Sequence, residues 1–223
     1  MIRLHKRERE IALAISSLLL NSVDSKIPFN NELLKEQISQ ISKTEYKTIG
    51  EVSIIEIGKQ VNKNLLSQTG KYPVINGGVK PTGYWDKFNY KKGCITVIQG
   101  GPTAGFAQYM ETDFWAGAHS YILNTIDESK VSQKFLFYIL KINEPTINSL
   151  KQGQILPSLR RESLKNFSIP IPPIEIQNTI TNLLDKLQEY SQNIQGLLPQ
   201  EVQFREIQHQ YYLNRLLDFT RER

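Results

Sequence analysis

The 223-residue sequence contains one cysteine, Cys94, and three scattered histidines, His5, His119 and His209. A single cysteine excludes a disulfide framework and any multi-cysteine zinc site, and makes a reducing compartment, the cytoplasm, the simplest home. The histidines are not spaced as metal ligands, so no metal is expected. No stretch reaches the ~18 uncharged apolar residues of a membrane span, so no membrane association is expected. Lys6, Arg7 and Arg9 before the apolar run Ile11 to Leu20 have the outline of a signal peptide. Glu8 and Glu10 interrupt it and no A-x-A-like cleavage site follows, so a packed helix is the reading.

The known catalytic motifs are also missing. There is no G-x-x-x-x-G-K-[ST] phosphate loop, no G-x-S-x-G elbow and no G-x-G-x-x-G between a strand and a helix. The glycine-rich run Gly100 to Gly105 contains Pro102, which removes an N–H that a phosphate nest would use. Glu128-Ser129-Lys130 after Asp113 outlines a nuclease D…E-x-K set but falls in a charged turn. Pro172-Pro173 lacks the preceding Asn or Asp that an amino-methyltransferase needs to hold its target amine. The chain reads as a non-catalytic binding protein with no cofactor.

With 39% apolar and 22% charged residues, the chain can bury a core. Its net charge is +5, unevenly spread. Residues 46–170 carry 15 basic and 9 acidic side chains, net +6, while residues 171–223 are net −2. Lys71, Lys80, Lys87, Lys91 and Lys92 are opposed locally only by Asp86, a pattern that attracts phosphates or forms a solvated face.

Three segments follow. Residues 1–43 read as helical, with Ile11, Ala14, Ile15, Leu18 and Leu19 at helical spacing. Residues 44–172 are richer in Gly, Pro, Thr and aromatics. Strands are predicted at 52–57, 73–75, 94–98, 106–110 and 120–123, with turns between them and one helix near 132–142. Residues 173–223 are helical again. Ile176, Ile180, Leu183, Leu187, Tyr190, Ile194 and Leu197 recur in an unbroken a/d pattern, the signal of a coiled-coil seam. Gly196 and Pro199 break it before a second helix. The expected fold is therefore α+β: one globular domain with an irregular sheet, plus long helices forming a spacer or dimerisation region.

The middle segment resembles the target-recognition domain of a type I restriction-modification specificity subunit. The likeness is carried by Tyr46 to Val52, by Gly70-Lys71-Tyr72-Pro73-Val74-Ile75-Asn76-Gly77-Gly78 through Gly83-Tyr84, and by Ile95 to Ile98 leading to Gly101 and Gly105. Phe114-Trp115-Ala116 and Gly153-Gln154-Ile155-Leu156-Pro157 follow. Ile169-Pro170-Ile171-Pro172-Pro173 then exits towards Gln177, and the tail from Gly196 to Leu217 is also similar. The family's full subunits carry two recognition domains and two helical regions; this chain has one of each and resembles a half-subunit.

The resemblance implies a subunit that binds double-stranded DNA and directs separate methyltransferase (modification) and restriction subunits, without chemistry of its own. Each recognition domain would read half of a bipartite site, with the helices as spacer. Twenty-one helical residues span roughly 32 Å at ~1.5 Å per residue. The a/d stripe can pack within this chain, on a second copy or on another protein; two copies pairing through it would read a palindromic site. DNA-contact candidates lie in loops: Asn76, Lys80, Thr82 and Tyr84; Gln99 and Thr103; His119 and Ser120; Lys151, Gln154, Ser158, Arg160 and Arg161. Amide and guanidinium groups suit base edges, and lysines suit phosphates. Trp85, Phe88, Tyr90, Phe114 and Trp115 are expected in the core.

Overall fold

The structure, a computed structural model, describes residues 43–153, 157–193 and 199–216. The predicted N-terminal helices lie outside them. Tyr46–Ile169 form one compact unit, and the described residues from Pro170 onward belong to another.

In the first unit the Ile-Thr-Val-Ile run, four β-branched residues between turns, becomes a strand buried along its whole length, Thr96 included. This strand, β5 (Ile95–Ile98), sits inside a four-stranded antiparallel sheet with β2 (Ser53–Ile57), β6 (Ala107–Tyr109) and β8 (Ser120–Thr125), in the order β2-β8-β5-β6. Register pairs Val97 with Tyr121 and Ile98 with Ser120. A three-stranded sheet in the order β4-β3-β7 joins β3 (Tyr72–Ile75), β4 (Gly83–Trp85) and β7 (Trp115–Ala116). Short strands β1 (Glu45–Thr48) and β9 (Ser168–Ile171) pair with each other.

Ile75, Cys94, Met110, Phe114, Ala116 and Ile122 form a core cluster, with Tyr90 packed on it. Burial pushes the Cys94 thiol up, as expected of a small buried hydrophobe. Alternation gives the opposite face of the large sheet to Ile55, Ile95, Val97, Tyr121 and Leu123, all buried. Helix α2 (Gln133–Ile142) packs on β6 and β8, burying Phe135, Leu136, Ile139 and Leu140. Its N-cap is Ser132, whose hydroxyl accepts from the Phe135 N–H. Three shorter helices complete the unit: α1 (Ile49–Val52), α3 (Glu144–Ser149) and α4 (Arg161–Lys165).

Exposed strand edges invite pairing with other chains, and here both edges of the large sheet are capped by charge. The Arg161 guanidinium donates to the Ile55 carbonyl on β2. On β6, Glu144 Oε1 accepts from the Ala107 N–H at 2.8 Å and pairs with Lys141 at 2.6 Å.

The second unit contains α5 (Ile174–Asn193) and α6 (Pro199–Leu216), which contact each other. Ile176, Ile180 and Leu183 are buried, as the a/d pattern expected, but so are Gln177, Thr181 and Leu184. The buried face is therefore as wide as that of an ordinary globular helix rather than a narrow seam. Leu187 and Tyr190 lie on the same helix, whereas Ile194 and Leu197 lie outside the described residues. Among the described residues no helix is long and apolar enough to cross a membrane.

Removing the β6 cap should cost stability. Glu144→Ala leaves the Ala107 N–H without its acceptor and should lower the unfolding free energy by about 2 kcal/mol, measured as the urea midpoint. Glu144→Gln, which keeps an acceptor oxygen, should recover part of the loss.

Candidate nucleic-acid interface

The first glycine-rich loop is the tip of the β3–β4 hairpin. The Thr82 N–H closes it onto the Val74 carbonyl at 2.8 Å, and Gly77 supplies the left-handed residue at φ 81°. Lys80 and Thr82 are exposed there; Tyr84 is half-buried on β4 opposite Pro73.

This tip is fastened to the turn before β8. The Gly117 N–H donates to the Ile75 carbonyl at 2.7 Å, and the His119 N–H to Asn76 Oδ1 at 3.3 Å. Ser120 Oγ accepts from the Gly77 N–H and donates to the Ile75 carbonyl, both at 3.3 Å. A Cβ on Gly117 would overlap the Asn76 side chain, and one on Gly58 would overlap the carbonyl oxygens of Ala116 and Gly117. Two candidates thereby change role. Ser120 is 1% exposed and spends its hydroxyl on the backbone, and Asn76 is a strut. His119 is left exposed.

The second loop continues the same surface. The Gln99 N–H donates to the His119 carbonyl at 3.0 Å, and the Gln99 carbonyl accepts from the Leu159 N–H at 2.7 Å. Gly100 bridges Ser158, the Gly101 N–H donates to the Pro157 carbonyl at 3.1 Å, and Ser158 exchanges two hydrogen bonds with Gln152. Asn148 Nδ2 holds the loop from below through the carbonyls of Pro102 (2.9 Å) and Ala104 (2.6 Å). Thr103 and Arg160 are exposed; Gln99, Lys151 and Ser158 are half-buried. Gln154 lies outside the described residues.

Four segments of the chain, 76–82, 99–105, 117–120 and the described part of 151–160, are thus joined at one end of the large sheet. They contain Lys80, Lys151 and Arg160 and no aspartate or glutamate. Such a surface attracts a polyanion and offers neutral donors and acceptors for reading it. Arg161 stands apart from this use, because its guanidinium caps β2. Among the described residues no group of His, Cys, Asp and Glu side chains is placed to hold a metal ion. The E-x-K outline is a turn in which Asp127 accepts from the Ser129 backbone and hydroxyl; these bonds and Lys130 hold its carboxyl below the usual range.

One supporting residue escaped the sequence reading. Tyr121 is 1% exposed, and its hydroxyl donates to the Leu159 carbonyl at 2.8 Å. Burial pushes this phenol up, so it stays protonated. The signal was present: a tyrosine inside an apolar strand needs a partner for its hydroxyl.

The lysines and aromatics also divide differently from expectation. Phe114 is fully buried and Tyr90 stacks on it at 5.9 Å. Trp85 and Trp115 meet edge to face at 4.6 Å, only half-buried, and Phe88 is 40% exposed beside Tyr72. Trp85 and Trp115 stay out of the core cluster because register places them, with Tyr72 and the buried Val74, on the face of the small sheet opposite Ile75 and Ala116. Lys71 and Lys87 lie over the Tyr72 and Trp85 rings, so the lysine patch is split between this face and the hairpin tip.

Known proteins share this architecture. The family model described as "Type I restriction modification DNA specificity domain" matches residues 41–203. A Mycoplasma pneumoniae protein named as a type I specificity subunit is 34% identical over 139 residues, covering 62% of this chain and 37% of its own length. A Mycoplasma genitalium counterpart is 33% identical over 153 residues, 68% of this chain and 40% of its own. The crystal structure of a type I restriction-modification S subunit from M. genitalium superposes with a TM-score of 0.65 at 31% identity, covering 77% of this chain and 44% of that one. The chain thus spans about two fifths of the length of these curated relatives. With the family model matching well over half of its residues, this chain belongs to the type I restriction modification DNA specificity domain family.

Proposed function

We propose that the chain is the non-catalytic DNA-reading component of a type I restriction-modification system, recognising one half of a bipartite duplex site. The observation that supports the reading is the joining of segments 76–82, 99–105, 117–120 and 151–160, which carry three cationic side chains and no carboxylate of their own. Lys80, Lys151 and Arg160 supply phosphate contacts; Gln99, Thr103, His119 and Ser158, with Gln154, supply groups for base edges. Catalysis belongs to partners: methyltransferase subunits that modify the site and a restriction subunit that cleaves, all in the cytoplasm. A small nuclease would require Mg-dependent cleavage by the purified chain alone.

Two recognition domains read a two-part site, and a second copy of this chain is the partner we infer. Ile176, Ile180 and Leu183 are already buried within one chain, so the pairing surface is better sought on α6. There Ile207 and Tyr211, one helical turn apart, are 62% and 54% exposed. A two-fold pair would read a palindromic bipartite site.

Three outcomes are expected. Selection from a randomised duplex library should enrich one short sequence pattern without cleaving it. Lys80→Gln should weaken binding to every sequence and reduce the salt slope by about 0.9, measured by titration at several salt concentrations, whereas His119→Ala should change which bases are preferred. Light scattering should give a mass near twice 25.7 kDa, returning to the single mass in an Ile207→Ser, Tyr211→Ser variant.

A further inference from the structure

Four of the glycines in the joined segments are required by the chain itself. Gly77, Gly101 and Gly105 hold positive φ, and a Cβ on Gly117 would overlap the Asn76 side chain. Gly100 has neither reason. Its φ lies outside the left-handed region, and a Cβ added there would meet no atom within 4 Å among the described residues. An alanine would fit the folded chain and would lose less backbone freedom on folding.

The backbone at this position is open as well. Gly100 bridges Ser158, but the two bonds that make the bridge flank the glycine. The Gly101 N–H donates to the Pro157 carbonyl at 3.1 Å, and the Leu159 N–H to the Gln99 carbonyl at 2.7 Å. In such a non-hydrogen-bonded antiparallel pair the two central residues turn their own N–H and C=O groups away from each other. Ser158 gives its groups to Gln152, at 2.9 Å each way. The Gly100 N–H and carbonyl have no backbone partner among the described residues. Gly100 is half-buried, so these groups remain within reach of an incoming molecule.

The surrounding segments favour one kind of occupant. Thr103 and Arg160 are exposed on the two stretches that the bridge joins, and segments 99–105 and 151–160 carry no carboxylate. A free N–H in such segments, with no side chain in the way, suits an anionic oxygen. Backbone N–H groups make this contact to DNA phosphates.

We infer that Gly100 is a phosphate-contact residue: its missing side chain lets the duplex backbone lie against the loop, and a phosphate oxygen accepts from the Gly100 N–H. The inference rests on the DNA-reading function proposed above and adds to it a contact that positions the duplex without reading bases.

The test compares the wild-type chain with Gly100→Ala and Gly100→Val. Melting temperatures are measured, and each chain is titrated with the duplex that the wild-type chain selects and with an unrelated duplex. Gly100→Ala should melt at the same temperature or higher. It should nevertheless bind both duplexes about tenfold more weakly, the loss of one hydrogen bond to a charged group. Gly100→Val should bind more weakly still. In a scan of single methylphosphonates along the selected duplex, one position should weaken the wild-type chain more than Gly100→Ala. Unchanged affinity in Gly100→Ala would overturn the inference, and so would the same methylphosphonate profile in both chains. Weakening confined to the selected duplex would make Gly100 a base contact and overturn it too. A lower melting temperature of Gly100→Ala would show that the position is not open, with the same consequence. Failure of the wild-type chain to bind either duplex would instead reject the DNA-reading function itself.

Discussion

A loop can lend its side chains to a ligand only when its own peptide groups are satisfied by something else, because a buried peptide group without a partner costs as much as a lost hydrogen bond. In this chain that condition is met at Gln99. Its N–H goes to the turn before β8 and its carbonyl to the segment after residue 157. From this residue the connections spread. His119 is held by Asn76, Asn76 sits at the hairpin tip, and Ser158 is paired with Gln152. The glycines at 58 and 117 follow from the same constraint, since a Cβ would meet the carbonyls of Ala116 and Gly117 at the first and the Asn76 side chain at the second. The candidate interface is thus a set of loops held by backbone bonding at one end of a buried sheet.

Charge is arranged by the same economy. The sheet needs charged caps at both edges, and Arg161 and Glu144 serve there. The loop end retains Lys80, Lys151 and Arg160 with no carboxylate among its four segments. Half of the net +6 of residues 46–170 therefore falls in these segments, and a local excess of one sign attracts a polyanion.

Much of this was legible beforehand, for physical reasons. The 95–98 strand is a β-branched run with turns on both sides, and α2 has an N-cap serine and a helical stripe; both signals are local. The strands Gly83–Trp85 and Trp115–Ala116 were not foreseen, because two or three residues have no periodicity. Trp115–Ala116 exists through its parallel pairing with β3 and the Asn89 side-chain amide, which bonds both the N–H and the carbonyl of Ala116. At the site, the loops were found because glycine and proline mark turns, but roles within them were not. Ser120 and Asn76 look like polar loop residues in sequence, yet their partners lie more than 40 residues away. The heptad was visible, but the width of the buried face on α5 depends on Gln177, Thr181 and Leu184, which an a/d pattern does not count.

Hydrogen exchange of the whole chain, with and without its selected duplex, reports each loop separately. Simultaneous protection of backbone amides in 76–82, 99–105, 117–120 and 151–160 is expected, with α2 and α6 unchanged. Protection of one segment without the others, or protection confined to α2 or α6, would contradict a single reading surface at this end of the sheet.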